Sequence, residues 1–245
     1  MALMAALFLL IAFAYSVVGF GGGSSYIAVM ALLELPYEHI PPLALTCNLI
    51  VVTGGSYHFI RRGHFAPPLF WPFAATSIPA SFIGGMLPLP KTVFLTLLGI
   101  TLILAGARLL LQRAPIADTA RLPPLGIALV TGAVLGLLSG LVGIGGGIFL
   151  APLLLNVGWG LPKQIAATCS LFILVNSAAG LTGQVIKLGL PQNLLSYWPL
   201  ALAVVAGGQI GSRLGSGRFS PALLCKLTAA LVLLVGLRVL LKTAF

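Results

Sequence analysis

The sequence predicts an all-α integral membrane protein built from two similar halves. Hydrophobic residues make up 59% of its 245 residues and charged residues only 7%. A soluble protein could not keep so much apolar surface out of water. No polar region is large enough to fold separately, so residues 1–245 are predicted to form a single transmembrane domain.

Ten apolar segments, five in each half, are predicted to be helices. Most are about 20 residues long, which is enough to cross a hydrocarbon core. The second and seventh have only about 11 residues, so at 1.5 Å per residue each reaches roughly halfway through a bilayer. The predicted segments are 2–18, 24–34, 41–60, 68–87, 91–111, 122–141, 148–158, 164–186, 194–212 and 221–242.

Each short segment follows a glycine motif that occurs once in each half. Residues 18–23 read V-G-F-G-G-G, and residues 142–147 read V-G-I-G-G-G. Four glycines in five residues stop an α-helix and free backbone polar groups at membrane depth. Each half is therefore predicted to contain a helix broken at its G-x-G-G-G motif and a short half-helix after the break. Broken helices at matching places in two halves are typical of a transporter binding site.

Further matches extend the repeat along the chain in the same order. Thr46-Cys47-Asn48 aligns with Thr168-Cys169-Ser170, and Trp71-Pro72 aligns with Trp198-Pro199. Ordered matches that include the rare residues Cys and Trp indicate a duplication. The predicted boundaries are residues 1–112 for repeat one, 113–121 for the linker and 122–245 for repeat two.

The basic residues favour an inverted arrangement of the two repeats. If each glycine break reverses the chain, only Lys91, Lys187 and Lys242 lie on one side of the membrane. The opposite side then carries Arg61, Arg62, Arg113, Arg121, Lys163, Arg213 and Arg218. If each break is only a kink, this asymmetry weakens. The positive-inside rule thus predicts inverted repeats, both termini outside and a multi-pass protein of the cytoplasmic (inner) cell membrane.

The formal charge of +10 is explained by this topology, because the basic residues fall in short connections between apolar segments. No nucleic-acid partner is predicted. Cys47, Cys169 and Cys225 show no C-x-x-C spacing, which argues against a zinc site and predicts free thiols. No metal or cofactor is predicted.

The two breaks are the leading candidates for a substrate site. A half-helix that begins at the glycines would direct free N–H groups and a partial positive charge towards an anion. Ser24 would add a hydroxyl in the first half, although capping of the half-helix explains it equally well. Close helix packing is the alternative role for the glycines. The candidate glycines are Gly21, Gly22, Gly23, Gly145, Gly146 and Gly147.

Polar side chains inside the apolar segments extend the candidate site. Unpaired polar groups are costly in the membrane, so these residues are expected to face protein or a wet cavity. Interhelical hydrogen bonding explains any single one about as well as substrate contact. The residues are Thr46, Asn48, Thr168, Ser170 and Asn176.

The paired G-x-G-G-G segments, the T-C-N and T-C-S stretches and the chain length together resemble the sulfite exporter TauE/SafE family of membrane transporters. The resemblance spans both halves. It implies transport of small sulfur-containing or organic anions, such as sulfite and sulfonates, across the cytoplasmic membrane. Because members of that family differ in substrate and direction, neither can be transferred to this chain.

The sequence thus favours a secondary transporter, and an exporter in particular, with the anion bound near the midplane between the repeats. A channel or facilitator is the main alternative, because it shares every helix-break feature. An intramembrane enzyme is disfavoured, since the apolar segments lack acidic pairs and a G-x-S-x-G motif. The expected partners are a small anionic substrate and membrane lipid, and a homo-oligomer is compatible with the sequence.

Overall fold

The computed structural model describes residues 1–18, 21–111, 121–188, 194–214 and 221–244, which form helices and connections without a β-strand. The all-helical prediction is confirmed for these ranges. Most of the predicted linker, including Arg113, lies outside them. The helices are α1 (Ala2–Val18), α2 (Gly23–Leu32), α3 (Ile40–Arg61), α4 (Pro67–Met86), α5 (Lys91–Leu111), α6 (Leu125–Val142), α7 (Gly147–Val157), α8 (Pro162–Leu188), α9 (Trp198–Leu214) and α10 (Pro221–Ala244).

Helix length and composition support a multi-pass membrane protein. In the described ranges, four helices are long and apolar enough to cross a membrane: α3, α5, α6 and α8. The second and seventh helices are short, as predicted, with 10 and 11 residues. All residues of α2 from Gly23 to Met30 are buried. This half-helix is therefore enclosed by protein.

Small residues bring α4 and α6 into close contact. The Cα face of Gly132 lies against Phe73, that of Gly136 against Ser77, and that of Gly140 against Ser81. Thr76 adds a hydrogen bond from its hydroxyl to the Leu129 carbonyl oxygen, at 2.6 Å. Membrane helices associate through such small-residue contacts, because lipid offers no hydrophobic driving force for their packing. The order of these contacts also shows that α4 and α6 run in the same direction.

The chain reverses direction at the second glycine motif. The Arg121 N–H, just before α6, donates to the Gly158 carbonyl oxygen at 3.3 Å, so α7 ends beside the start of α6. The following helix α8 runs parallel to α4, since Ser81 faces Asn176 and Gly85 faces Gly180. Helices α6 and α8 therefore share one direction, and α7 returns the chain between them.

Two pairs of long helices pack antiparallel. In the α3 and α8 pair, Leu45 faces Gly180, whereas Ser56 meets Ser170 nearer the other end. In the α5 and α10 pair, Gly99 faces Leu240 and Gly106 faces Leu233.

Helix α9 runs parallel to two other helices. Helix α9 follows α1, with Gly207 beside Leu9 and Gly211 beside Phe13. It also runs parallel to α3, with Gly208 beside Val51 and Gln209 beside Gly54. Helices α1, α3 and α9 thus run opposite to α4, α6 and α8.

An exposed ion-pair cluster ties the end of α2 to the end of α10. The Lys242 ammonium lies 2.7 Å from the Glu34 carboxylate and the Arg238 guanidinium 3.7 Å from it. The hydrogen bond and charge of Lys242 hold the pKa of the Glu34 carboxyl below its ordinary value. The ion pairs of the cluster therefore stabilise the folded protein at neutral pH. This stabilisation is lost only as the pH falls through the lowered pKa of Glu34. Solvent screening keeps the contribution small.

Replacement of Gly136 by Leu should destabilise the protein, because a side chain there overlaps the Ser77 backbone of α4. Overpacking of a well-packed contact costs roughly 1–3 kcal/mol. The matched control is Gly126→Leu on the same helix, where an added Cβ meets no atom within 4 Å. Thermal unfolding in detergent should show a lower midpoint for Gly136→Leu than for the control. Equal midpoints would show that α4 and α6 do not pack as described.

Candidate functional site

The second glycine motif forms a sharp break between α6 and α7. Helix α6 ends at Val142 and α7 begins at Gly147. Between them Gly143, Gly145 and Gly146 have φ values of 89°, 83° and 78°. These angles lie in the left-handed region, which costs a residue with a Cβ about 1–2 kcal/mol. Glycine is therefore required by the backbone of the break and not only by helix packing.

The first motif ends in a similar way. Gly22 has a φ of 80°, and its carbonyl oxygen accepts hydrogen bonds from the N–H groups of Ser25 and Tyr26. Helix α2 then starts at Gly23. Gly19 and Phe20 lie outside the described residues. The Ser25 hydroxyl lies 2.9 Å from the Tyr15 hydroxyl, which joins the start of α2 to α1.

The two breaks meet in the protein interior. A Cβ added to Gly23 would lie 2.7 Å from the Ile144 carbonyl oxygen, so the start of α2 touches the second break. Asn48 of α3 lies at this junction, and its Nδ2 donates to the Ile144 carbonyl oxygen at 3.3 Å. The same amide group lies against Gly21, Gly23 and Gly145. Asn48 thus contacts both glycine motifs.

Two polar atoms at this junction have no hydrogen-bond partner in the described part of the chain. They are the Asn48 Oδ1 and the Ser177 Oγ. Both side chains are fully buried. The Ser177 hydroxyl faces Gly145 from α8. Because an unpaired buried polar group costs free energy, the junction is chemically suited to a polar ligand.

The other polar candidates divide according to their contacts. Ser24 is buried at the start of α2 and belongs to the junction. Thr46 donates to the Pro42 carbonyl oxygen of its own helix at 2.8 Å. Ser170 lies 3.0 Å from Ser56 in the contact between α3 and α8. Interhelical or intrahelical bonding therefore accounts for Thr46 and Ser170, as the packing alternative expects.

Asn176 and Thr168 lie elsewhere on α8. The Asn176 Nδ2 donates to the Phe172 carbonyl oxygen at 2.8 Å, and its backbone oxygen accepts from Ser81 of α4. The Oδ1 of Asn176 and the hydroxyl of Thr168 are buried without a partner in the described ranges. In the described ranges, neither side chain is among the nearest neighbours of the motif glycines.

A cavity of about 290 Å³ approaches the junction from one side of the protein. Gln184 and Lys187 of α8 and Glu38, in the connection before α3, supply its polar and charged lining. Pro41 also lines the cavity and packs against Gly143 of the second break. The cavity is therefore linked to the second break through Pro41, whereas neither Asn48 nor a described glycine of the two motifs lines it.

The described residues contain no cluster of three or more His, Cys, Asp and Glu side chains that could hold a metal ion. Cys47 and Cys169 are free and buried. The side chain of Cys225 is not among those that the structure describes. The polar groups at the junction are thus amides, hydroxyls and backbone atoms.

Comparison with known proteins identifies the family. Residues 4–239 match the family model described as "Sulfite exporter TauE/SafE". The chain belongs to the TauE/SafE family. It is 39% identical over 241 residues to "Probable membrane transporter protein y4hK" of Sinorhizobium fredii, with 97% of each chain covered.

A more distant relative is a "Probable membrane transporter protein" of Xylella fastidiosa strain 9a5c. The two chains are 27% identical over 211 residues, which cover 80% of this chain and 77% of the relative. No solved structure matches this chain. The family match and the apolar helices show that this is a membrane transporter.

Replacement of Gly145 by Ala should destabilise the junction in two ways. The left-handed backbone costs about 1–2 kcal/mol for a residue with a Cβ. The new methyl would also lie 2.9 Å from the Asn48 Nδ2. Gly63→Ala is the matched control, because Gly63 has a φ of 71° but an added Cβ meets nothing within 4 Å.

Thermal unfolding in detergent should show both variants below the wild type, and Gly145→Ala below Gly63→Ala. The difference between the variants measures crowding against Asn48. If the two midpoints coincide, Asn48 does not press against the second break.

Proposed function

We propose that this protein is a secondary transporter, working as an exporter, for a small sulfur-containing or organic anion such as sulfite or a sulfonate. The anion binds at the junction of the two glycine breaks, near the membrane midplane between the repeats. The observation that carries this proposal is the position of Asn48, whose amide lies against both glycine motifs. Broken helices that meet around a polar group are the usual form of a transporter site.

The helix directions support inverted repeats. If α1 to α5 correspond to α6 to α10, the two helices run in opposite directions in every corresponding pair other than α2 and α7. Their contacts also correspond, because α9 packs on α1 as α4 packs on α6, while α3 pairs with α8 and α5 with α10. This pattern is expected for a pseudo-two-fold axis in the membrane plane. Movement of one repeat against the other would then expose the junction alternately to each side.

The chemistry of the junction suits an anion. The starts of α2 and α7 provide backbone N–H groups that lack intrahelical acceptors, together with the positive ends of two helix dipoles. Both half-helices reach the same small region, because Gly23 contacts Ile144. Asn48 Nδ2 and the Ser177 hydroxyl can add further donors. The proposed binding residues are 21–23, 145–147, Ser24, Asn48 and Ser177. Ser177 is included because its hydroxyl faces Gly145.

The positions of the basic residues indicate which end of the helix bundle faces the cytoplasm. Arg61, Arg62 and Lys163 lie at the ends of α3 and α8 opposite the cavity, and the positive-inside rule assigns that side to the cytoplasm of the inner membrane. The cavity with Lys187 then faces outwards. A negative cytoplasm favours the exit of a monovalent anion by about 2.3 kcal/mol per 100 mV. The membrane potential alone can therefore drive export.

Purified protein in liposomes should carry radiolabelled sulfite with saturable kinetics. Replacement of Asn48 by Ala should lower the flux at low substrate by about tenfold or more, because a hydrogen bond to a charged group contributes roughly 1.5–3 kcal/mol. The matched control is Asn156→Ala at the exposed end of α7, which should retain the wild-type flux. Both variants must elute as folded protein and remain folded at the assay temperature, because loss of the hydrogen bond to Ile144 is itself expected to lower the unfolding midpoint of Asn48→Ala.

Loss of saturable flux for sulfite and for every small sulfonate tested would exclude the proposal. Equal flux in Asn48→Ala and wild type would remove the junction as the binding site. Unlabelled substrate trapped inside the liposomes should also accelerate labelled uptake, because a carrier exchanges substrate across the membrane. A channel would instead show conductance far above carrier turnover.

A further inference from the structure

The orientation of the Asn48 amide is fixed by its neighbours. The Ile144 carbonyl oxygen, 3.3 Å away, can only accept a hydrogen bond, so the Asn48 NH₂ group must face it. The reversed amide would place two acceptor oxygens against each other. The Asn48 Oδ1 is consequently turned away from the second break.

The Oδ1 faces the first break instead. A Cβ built on Gly21 would lie 2.6 Å from it, and one built on Gly23 would lie 2.9 Å from it. The side chain is fully buried, and the Oδ1 accepts no hydrogen bond from the described residues. An amide oxygen without a donor in such a place carries a substantial desolvation cost. A ligand that supplies a donor would remove that cost.

Donors and an acceptor therefore lie side by side in the first break. Helix α2 begins at Gly23, so its first N–H groups point towards the break and attract an anion. The Asn48 Oδ1 lies against the same glycines and repels an anion's oxygen atoms, since it can only accept. A ligand that binds here must therefore offer an anionic group to the N–H groups and a hydrogen-bond donor to the Asn48 Oδ1.

A bound cation is the other way to satisfy the oxygen. Burial of a cation without a paired anionic group is expensive, and Glu34 and Glu38, in the connection after α2, are not among the nearest neighbours of the glycines at the junction. A donor carried by the substrate needs no such charge. A hydrogen-bond donor on the substrate is therefore favoured over a bound cation as the partner of the Asn48 Oδ1.

We propose that the preferred substrate is an anion that carries a hydrogen-bond donor next to its anionic group, such as a hydroxyl or amino group close to a sulfonate. The anionic oxygens bind the N–H groups at the start of α2, and the donor binds the Asn48 Oδ1. For sulfite, the transported form is then the protonated monoanion and not the dianion. This inference rests on the proposed function and specifies the substrate class of the same site.

The test compares two anions that differ only in the donor, ethanesulfonate and 2-hydroxyethanesulfonate, in liposomes that contain the full chain. A site built to bind a hydroxyl discriminates strongly against an analogue that lacks it. We expect kcat/KM for the hydroxylated anion to be higher by about tenfold or more. In Asn48→Leu the two values should become equal within about twofold, because the acceptor is gone.

Asn48→Ala serves as a second variant in case Asn48→Leu does not fold, and Asn156→Ala should keep the wild-type preference. Transport of both anions at equal kcat/KM by the wild type would overturn the inference while leaving the proposed function intact. Transport of neither anion, nor of sulfite, would overturn the proposed function. A preference that persists in both Asn48 variants, or flux that depends on Na⁺ for both anions, would assign the Asn48 oxygen another role and overturn the inference.

Discussion

The hydrogen bond from Asn48 to the Ile144 carbonyl oxygen is the contact on which the proposed site depends. It joins α3 of the first half to the helix break of the second, at the point where Gly23 also touches Ile144. A break in a helix leaves backbone groups unpaired, and such groups are tolerated in a membrane only where protein or a wet cavity surrounds them. Asn48 binds one of these groups, and a substrate is proposed to bind others.

The helices around this junction are closely packed. The glycine and serine contacts between α4 and α6 are close enough to leave no space for a larger side chain at Gly136. Helix α8 contacts both α3 and α4, and it brings Ser177 to the second break. Relative movement of the halves would therefore separate interhelical contacts that converge on the junction. Such a movement is the change that alternating access requires.

Much of the architecture could be predicted from the sequence. The predicted bounds of the half-helices after the two glycine motifs lie within two residues of those in the structure, because glycine stops helices for local reasons that a single sequence reveals. The sequence also selects Asn48 as a candidate site residue, since an amide in an apolar segment must find partners. Its role in binding stays a prediction. The same reasoning selects Thr46, whose hydroxyl donates to the Pro42 carbonyl oxygen of its own helix.

Other features of the site depend on tertiary contacts that no local pattern contains. Ser177 is not among the site residues that the sequence predicts, although it follows Asn176 directly. A single serine in a membrane helix is most often explained by packing between helices. The partner of Asn48 is a backbone carbonyl 96 residues away along the chain. The cavity beside Pro41 likewise forms only when α8 and the connection before α3 come together. Residue type predicts which groups need partners, whereas packing decides which partners they find.

The most direct test of the shared site is hydrogen–deuterium exchange of the purified protein with and without sulfite. If both breaks bind one anion, backbone amides in residues 21–25 and in residues 144–148 should gain protection together. Both gains should saturate at the same sulfite concentration. Protection of only one break, or protection limited to the cavity around Gln184 and Lys187, would contradict a binding site formed jointly by the two glycine motifs.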